Sequence, residues 1–216
     1  AEHSGCCQAV LSDGRHVAAE ILVPEAMPLE KWNIEIEDWN EGDRKVNIEE
    51  KFGHTTHEVY YTTRKTVLKF TDCPLVPWKS LPAEKEHLAQ LAGEHPSMDQ
   101  VSGLGRYEME VEIPEDWDGA YLQLDSTGGG TAMVWINGEK AGLIPLRTLR
   151  IDLGRYLKAG RNTIRVEVAS TLTNRMIQRE YGKIASWNVK SYDIRVQDYG
   201  MTGARLIPYV EESITE

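Results

Sequence analysis

The sequence has 216 residues, of which 41% are hydrophobic, and a formal net charge of -10. This length is sufficient for one large β-domain with a sizeable core. The acidic balance argues against nucleic acid and anionic membranes as partners, since phosphate groups are bound by clustered Lys and Arg side chains. No apolar stretch is long enough to cross a bilayer, and the first residues lack the basic and apolar parts of an export signal, which has been removed or lies elsewhere.

The three cysteines exclude a disulfide framework. Cys6 and Cys7 are neighbours and cannot pair with each other without strain, so at most one bridge, to Cys73, is expected. No CxxC pair is present, which argues against a cysteine metal site.

Residues 1–28 are predicted to form a separate N-terminal hairpin. Asp13-Gly14, near the centre of residues 8–21, is a pair typical of two-residue hairpin turns. The hairpin is either the tail of a preceding β-domain or part of the main sandwich. Residues 29–216 are predicted to form the main domain.

In the first part of the main domain, the sequence pattern predicts some strands more strongly than others. Polar and apolar residues alternate in residues 31–39 and again in 65–70, as they do in half-buried strands. Between them, residues 40–64 are polar and weakly patterned, with candidate strands at 45–51 and 57–63.

One helix and a run of short strands complete the domain. The helix lies in residues 71–103, where Pro82 suits its first position and Gly93 its end. Asn137-Gly138 predicts a type I′ hairpin turn, because both residues of that turn need positive φ. The remaining strands are predicted at 106–113, 120–125, 131–136, 139–143, 149–153, 163–168 and 204–210. Together they indicate an all-β fold, an antiparallel β-sandwich with one short helix in a long loop.

The strand connections differ in length at the two ends of the predicted sandwich. Antiparallel succession places the tight turns at one end, here called the turn-rich end: 114–118, 137–138 and 154–160. The opposite, loop-rich end receives the long connections: 71–105, 126–130, 144–148 and 170–195. Because binding groups concentrate in loops on a rigid scaffold, the functional site is predicted at the loop-rich end.

Three segments resemble the galactose-binding-like jelly-roll domains of bacterial glycoside hydrolases: GRYEMEV (105–111), AMVWINGEKAG (132–142) and IDLGRYLKAGRNTI (151–164). The spacing of Trp32 and Trp39 in an early strand, together with residues 170–176, makes the resemblance closest to accessory domains of α-L-rhamnosidase-like enzymes. The resemblance implies a jelly roll, a carbohydrate-linked role, and catalytic acids that belong to a separate barrel. It requires no cofactor and leaves open a structural Ca²⁺, whose ligands the sequence does not indicate.

Six residues are predicted to bind sugar at the loop-rich end. Aromatic rings stack on the C–H faces of sugars, while sugar hydroxyls need placed polar partners. The structural alternative is that a loop Trp anchors its loop on the core and that Asn174 and Arg175 serve the fold. The predicted binding residues are Trp78, Arg147, Asn174, Arg175, Tyr181 and Trp187.

Two other residues receive structural interpretations. Asp152 precedes a turn and is predicted to accept hydrogen bonds from the turn backbone. Trp135 faces away from Val134 and Ile136, so it either packs under a loop or forms a flat platform on an outer sheet face.

No catalytic site is predicted from the sequence. Residues 126–130 are glycine-rich but lead into a strand and lack the Lys-Ser/Thr of a phosphate-binding loop. No pair of carboxylates and no Ser-His-Asp signature stands out.

The predicted function is that of a non-catalytic carbohydrate-binding module, secreted and monomeric, which targets a polysaccharide-degrading enzyme to plant cell wall or another complex glycan. Its expected partners are a polysaccharide or oligosaccharide and the catalytic domain of the parent enzyme. One alternative is a structural accessory domain that packs on the catalytic domain and binds no sugar. The other is an autonomous hydrolase or lyase.

Overall fold

The computed structural model describes residues 1–91, 93, 95–179 and 195–211. In chain order the strands are β1 (Gly5–Val10), β2 (His16–Ile21), β3 (Met27–Pro28), β4 (Lys31–Lys51), β5 (His54–Pro74), β6 (Gly103–Ile113), β7 (Gly119–Ser126), β8 (Thr131–Ile136), β9 (Glu139–Ile144), β10 (Arg150–Asp152), β11 (Gly160–Ala169) and β12 (Thr202–Tyr209). The two α-helices are α1 (Lys85–Gln90) and α2 (Thr173–Gln178).

Ten of these strands form an antiparallel β-sandwich, which confirms the predicted fold class. The larger sheet has the order β5-β4-β6-β11-β8-β9, and the smaller has the order β10-β7-β12-β3. Alternation selects the face that each strand buries: Leu122 and Leu124 of β7 point inward, and Tyr121 and Gln123 between them face outward. The largest fully buried side chains of the shared core include Trp32, Ile34, Ile36, Leu68, Tyr107, Leu122, Leu124, Ile136 and Ile164.

The Asn137-Gly138 turn forms as predicted between β8 and β9. Its two residues have φ of 53° and 83°, which is the geometry that a type I′ turn requires. The Asn137 side chain also donates to Asn162 Oδ1 at 2.9 Å and accepts from the backbone N–H of Thr163, so it ties the hairpin to β11.

The segment 40–64 forms the outer parts of two strands that are longer than the sequence suggests. β4 and β5 each have 21 residues and remain paired to the tip, where Phe52 and Gly53 make the turn with positive φ. β6 pairs with β4 only up to Asp38. Residues 41–64 therefore leave the loop-rich end as a two-stranded ribbon, here called the arm.

The helices differ from the sequence prediction in number and position. α1 begins at Lys85 and not at Pro82, because Glu84 and His87 form a capping box in which the Glu84 backbone N–H donates to His87 Nδ1 at 3.1 Å. α2, which has the same length, was not predicted, because no proline and no capping side chain marks its start. No helix in the described part of the chain has the length and apolar character to span a bilayer.

The N-terminal hairpin is a small sheet of its own. β1 and β2 pair only with each other, whereas Met27 and Pro28 of β3 pair with β12 in the smaller sheet. The division at residue 28 therefore stays a prediction, with β3 contributing to the sandwich edge. The cysteines are free thiols, with Cys6 and Cys7 exposed and Cys73 buried.

Candidate functional site

Trp78, at the loop-rich end, is part of the core. Its side chain is 1% exposed, and its indole Nε1 donates to the Tyr107 hydroxyl at 2.6 Å. Gly105 and Gly200 lie so close to the indole that a Cβ on either would be within 2.7 Å of it. Trp78 thus anchors its loop, and this burial leaves no ring face for a sugar.

Asn174 and Arg175 of α2 are also buried, with partners from the fold. Asn174 makes two hydrogen bonds to the backbone of Gln197, at 3.0 and 2.7 Å. Arg175 forms an ion pair with Asp38, whose other oxygen accepts from the Ser102 backbone N–H at 3.1 Å. Burial raises the pKa of Asp38 even though Arg175 opposes the shift. Both α2 side chains therefore hold the loop-rich end together.

The other predicted binding residues are placed differently. Arg147 is exposed in the turn after β9. Tyr181 and Trp187 lie outside the described residues, so their role stays a prediction. Trp135 lies on the outer face of the larger sheet, where the guanidinium of Arg165 covers its ring at 4.6 Å from the centroid.

The smaller sheet presents a different group of aromatic and acidic side chains on its outer face. Tyr121 of β7 lies opposite Asp152 of β10 on one side and Ile207 of β12 on the other. Tyr209, two residues beyond Ile207, lies on the same face opposite Gly119. Tyr121, Asp152 and Tyr209 therefore meet at the turn-rich end of the sandwich.

Tyr209 is fixed within this group from several sides. Its hydroxyl donates to Asp152 Oδ1 at 3.1 Å, and the same oxygen accepts from the Gly154 backbone N–H at 2.9 Å. A Cβ on Gly119 or Gly154 would collide with the Tyr209 side chain. Burial, followed by the charge of Asp152, raises the pKa of Tyr209 to about 12, so the hydroxyl keeps its proton at neutral pH.

The aromatic pair is supported by a neighbouring ion pair. The rings of Tyr121 and Tyr209 are tilted by 52° with centroids 5.2 Å apart. The Arg150 guanidinium lies 3.7 Å from the Tyr121 centroid and pairs with Glu2 at 2.6 Å. Arg150 therefore packs on one face of Tyr121 and is itself held in place by Glu2.

Two cavities meet at Tyr209. One, of about 480 Å³, is lined by Glu2, Tyr121 and Asp152 among others. The second, of about 530 Å³, is lined by Asp118, Arg155 and Tyr156 among others. Both are lined by Asp152, Tyr209 and Glu211, so the two cavities are adjacent, and together they are here called the Tyr209 groove. Each cavity has the volume of a small-molecule site.

The Tyr209 groove combines the two features that sugar binding requires. Arg150 covers one face of Tyr121, so the aromatic surface for sugar C–H groups is supplied by Tyr209 and by the part of Tyr121 that Arg150 leaves uncovered. Asp152 supplies an acceptor, because Oδ1 is used by Tyr209 and Gly154 whereas Oδ2 has no hydrogen-bond partner among the described residues.

Sequence reasoning identified the turn role of Asp152 but missed the groove. The bond from the Gly154 N–H confirms the turn role. The available signal was alternation: Tyr121 stands between Ala120 and Leu122 in a strand, so its ring must face outward. Nothing local in the sequence shows that β7 lies between β10 and β12, which is what brings the three side chains together.

No metal centre is formed by the described residues. Within them, no three His, Cys, Asp or Glu side chains are arranged to hold an ion. The structural Ca²⁺ therefore stays a prediction with no assigned ligands.

Comparison with known proteins shows a similarity of fold. No protein-family model matches the chain, and no curated protein sequence matches it. A rhamnosidase from Novosphingobium sp. PP1Y aligns with 92% of this chain at 18% identity and a TM-score of 0.57, and this chain covers 16% of the rhamnosidase. A β-D-glucuronidase from Dictyoglomus thermophilum aligns with 88% of this chain at 12% identity and a TM-score of 0.38, with 29% of the enzyme covered. The rhamnosidase match shows that this fold occurs as one part of a much larger glycoside hydrolase chain.

Proposed function

We propose that this chain is a non-catalytic carbohydrate-binding domain of a larger glycoside hydrolase and that it binds glycan in the Tyr209 groove. The observation that carries the proposal is the Tyr121–Tyr209 pair beside the open oxygen of Asp152. Aromatic surface next to a few placed polar groups is the usual composition of a sugar site.

The similarity of fold to part of a rhamnosidase supports the proposal that this domain belongs to a larger enzyme. The rhamnosidase is several times longer than the part that this chain covers, so the parent enzyme would hold its catalytic site elsewhere. A domain of this kind raises the local concentration of its enzyme on a polysaccharide. We place this activity outside the cell, where such polymers occur, and the secreted location is part of the proposal.

Affinity electrophoresis in gels containing xylan, mannan or β-glucan tests the proposal. We expect retardation by at least one polymer and at least tenfold weaker binding by Tyr121→Ala, because truncation removes aromatic contact worth roughly 1.4 kcal/mol or more. Phe52→Ala is the matched control, because Phe52 is 98% exposed at the arm tip, far from the groove. Equal retardation of both variants, with thermal melting showing that both are folded, would show that glycan does not bind in the Tyr209 groove.

A second candidate function, a structural domain that packs on the catalytic domain, is favoured by the arm. Cross-strand pairing places Val46 opposite Val59, and Ile48 and Tyr61 lie on the same face two residues away. These four side chains are 45–59% exposed, and the arm face that they form is covered by no element of the described chain. An apolar ribbon of this kind suits burial against another part of a larger enzyme.

Excising the arm tests whether the sandwich itself needs it. Glu41 and Thr63 are paired, so residues 42–62 can be replaced by Asn-Gly, which favours a two-residue turn. We expect the melting temperature to stay within about 3 °C of the parent value, since exposed surface residues contribute little to stability. Glycan retardation is expected to be unchanged. A large loss of stability would show that the arm stabilises the sandwich, and it would argue against a role of the arm in docking to the catalytic domain.

A further inference from the structure

We infer that the Tyr209 groove selects uncharged glycan chains over acidic ones and contacts at least two consecutive sugar units. This inference rests on the proposed function, because it names the substrate class of the same groove. Its two parts depend on different observations, the charge of the groove wall and the adjacency of the two cavities.

The groove wall carries more negative than positive charge. Asp118, Asp152 and Glu211 line it, and among the described residues none of the three carboxylates is in an ion pair. Asp118 instead accepts from the Glu211 backbone N–H at 2.7 Å, which holds these two acids close together.

In the described part of the chain, one guanidinium, that of Arg155, lines the two cavities, against the carboxylates of Glu2, Asp118, Asp152 and Glu211. Arg150 pairs with Glu2 and stacks on Tyr121. Arg155 lies over the Tyr156 ring, at 4.6 Å from its centroid, and donates to the Tyr156 hydroxyl. Arg155 has no carboxylate partner among the described residues, so the preference for neutral sugars depends on the excess of carboxylates over cations in the groove wall. A uronic acid would meet like charge, whereas a neutral sugar would offer hydroxyl donors to Asp152.

The shape of the groove fits a chain better than a single sugar. Tyr209, Asp152 and Glu211 line both cavities, so the two cavities lie side by side against these three residues. A sugar unit in one cavity leaves the adjacent cavity free for its neighbour along a chain. Contacts should therefore accumulate as a second unit is added.

Isothermal titration with the whole chain tests both parts. The neutral probes are xylotetraose, mannotetraose, cellotetraose and their monosaccharides, and the acidic probe is tetragalacturonate. We expect one neutral tetrasaccharide to bind at least tenfold more tightly than tetragalacturonate and than its own monosaccharide. The Asp118→Asn/Glu211→Gln double variant should bind tetragalacturonate at least threefold more tightly than the parent chain. The Glu115→Gln/Asp116→Asn double variant is the charge-matched control, because both residues are exposed and line neither cavity.

The possible results test charge selectivity, two-unit contact and glycan binding separately. Tetragalacturonate binding as tightly as the neutral probes would overturn the charge selectivity while leaving glycan binding in place. Equal affinity for monosaccharide and tetrasaccharide would overturn the two-unit contact. No binding of any probe, with the chain folded, would overturn the proposed function itself. An equal gain in Glu115→Gln/Asp116→Asn and in Asp118→Asn/Glu211→Gln would show a non-specific charge effect and contradict the assignment to the groove wall.

Discussion

Replacing Trp78 with alanine is expected to lower the free energy of unfolding by about 3–5 kcal/mol, the usual cost of removing a large buried aromatic ring. The indole is 1% exposed and fills the space between Gly105 and Gly200. Its loss also removes the hydrogen bond to Tyr107, a tyrosine that is itself completely buried. For a chain of this size, we expect the melting temperature to fall by roughly 6–20 °C.

Urea denaturation of Trp78→Ala, Trp78→Phe and Phe52→Ala checks this expectation. Trp78→Phe keeps an aromatic ring and should lose less stability than Trp78→Ala. Phe52→Ala should change the free energy of unfolding by no more than about 0.5 kcal/mol, because Phe52 is exposed. A Trp78→Ala chain with parent-like stability and no glycan binding would instead support a sugar-contacting role for Trp78.

Replacing Arg175 with methionine is expected to cost about 3–5 kcal/mol, because it leaves the Asp38 carboxylate buried without its counter-charge. The Asp38 side chain is 1% exposed and the Arg175 side chain is 7% exposed. Adding Asp38→Asn to Arg175→Met should recover much of this loss, since an amide can still accept from the Ser102 backbone N–H. Arg147→Met is the matched control, because Arg147 is an exposed arginine at the same end.

The cost of Arg175→Met should depend on pH. Burial already raises the pKa of Asp38 in the folded chain, and removing Arg175 raises it further. The folded state then binds more protons than the unfolded state between the ordinary Asp pKa and the raised value, so stability falls as pH rises through that window. The destabilisation should therefore be smaller near pH 4 than at pH 7. A cost that is the same at both pH values would contradict the assignment to Asp38.

The parts of the fold that one-sided burial controls could be predicted from the sequence. Residues 163–168 alternate because one face of β11 is buried, with Ile164, Val166 and Val168 inside. Residues 41–64 have solvent on both sides, so no burial pattern reveals that β4 and β5 continue to Phe52. The prediction that residues 71–105 lie wholly at the loop-rich end was wrong, because it assumed that successive strands are antiparallel. β5 and β6 both pair antiparallel with β4 and are therefore parallel, so the segment between them runs from one end of the sandwich to the other.

The candidate site was harder to predict because it depends on long-range pairing and on loop packing. The sequence places Trp78 in a loop, where an exposed ring is expected. Its burial depends on Gly105 and Gly200, whose missing side chains leave space for the indole. Asp152 and Tyr209 are 57 residues apart, and they meet because β7 lies between β10 and β12. Each of these placements depends on which strands become neighbours, which periodicity within a strand cannot specify.

Crystals of the chain soaked with the tightest-binding neutral oligosaccharide show whether glycan binds in the Tyr209 groove at the turn-rich end. We expect sugar density against Tyr121 and Tyr209, with a hydroxyl within hydrogen-bond distance of Asp152 Oδ2. Sugar density at the loop-rich end, with the groove empty, would show that glycan does not bind in the Tyr209 groove. The binding site would then be assigned to the loops that carry Arg147, Tyr181 and Trp187.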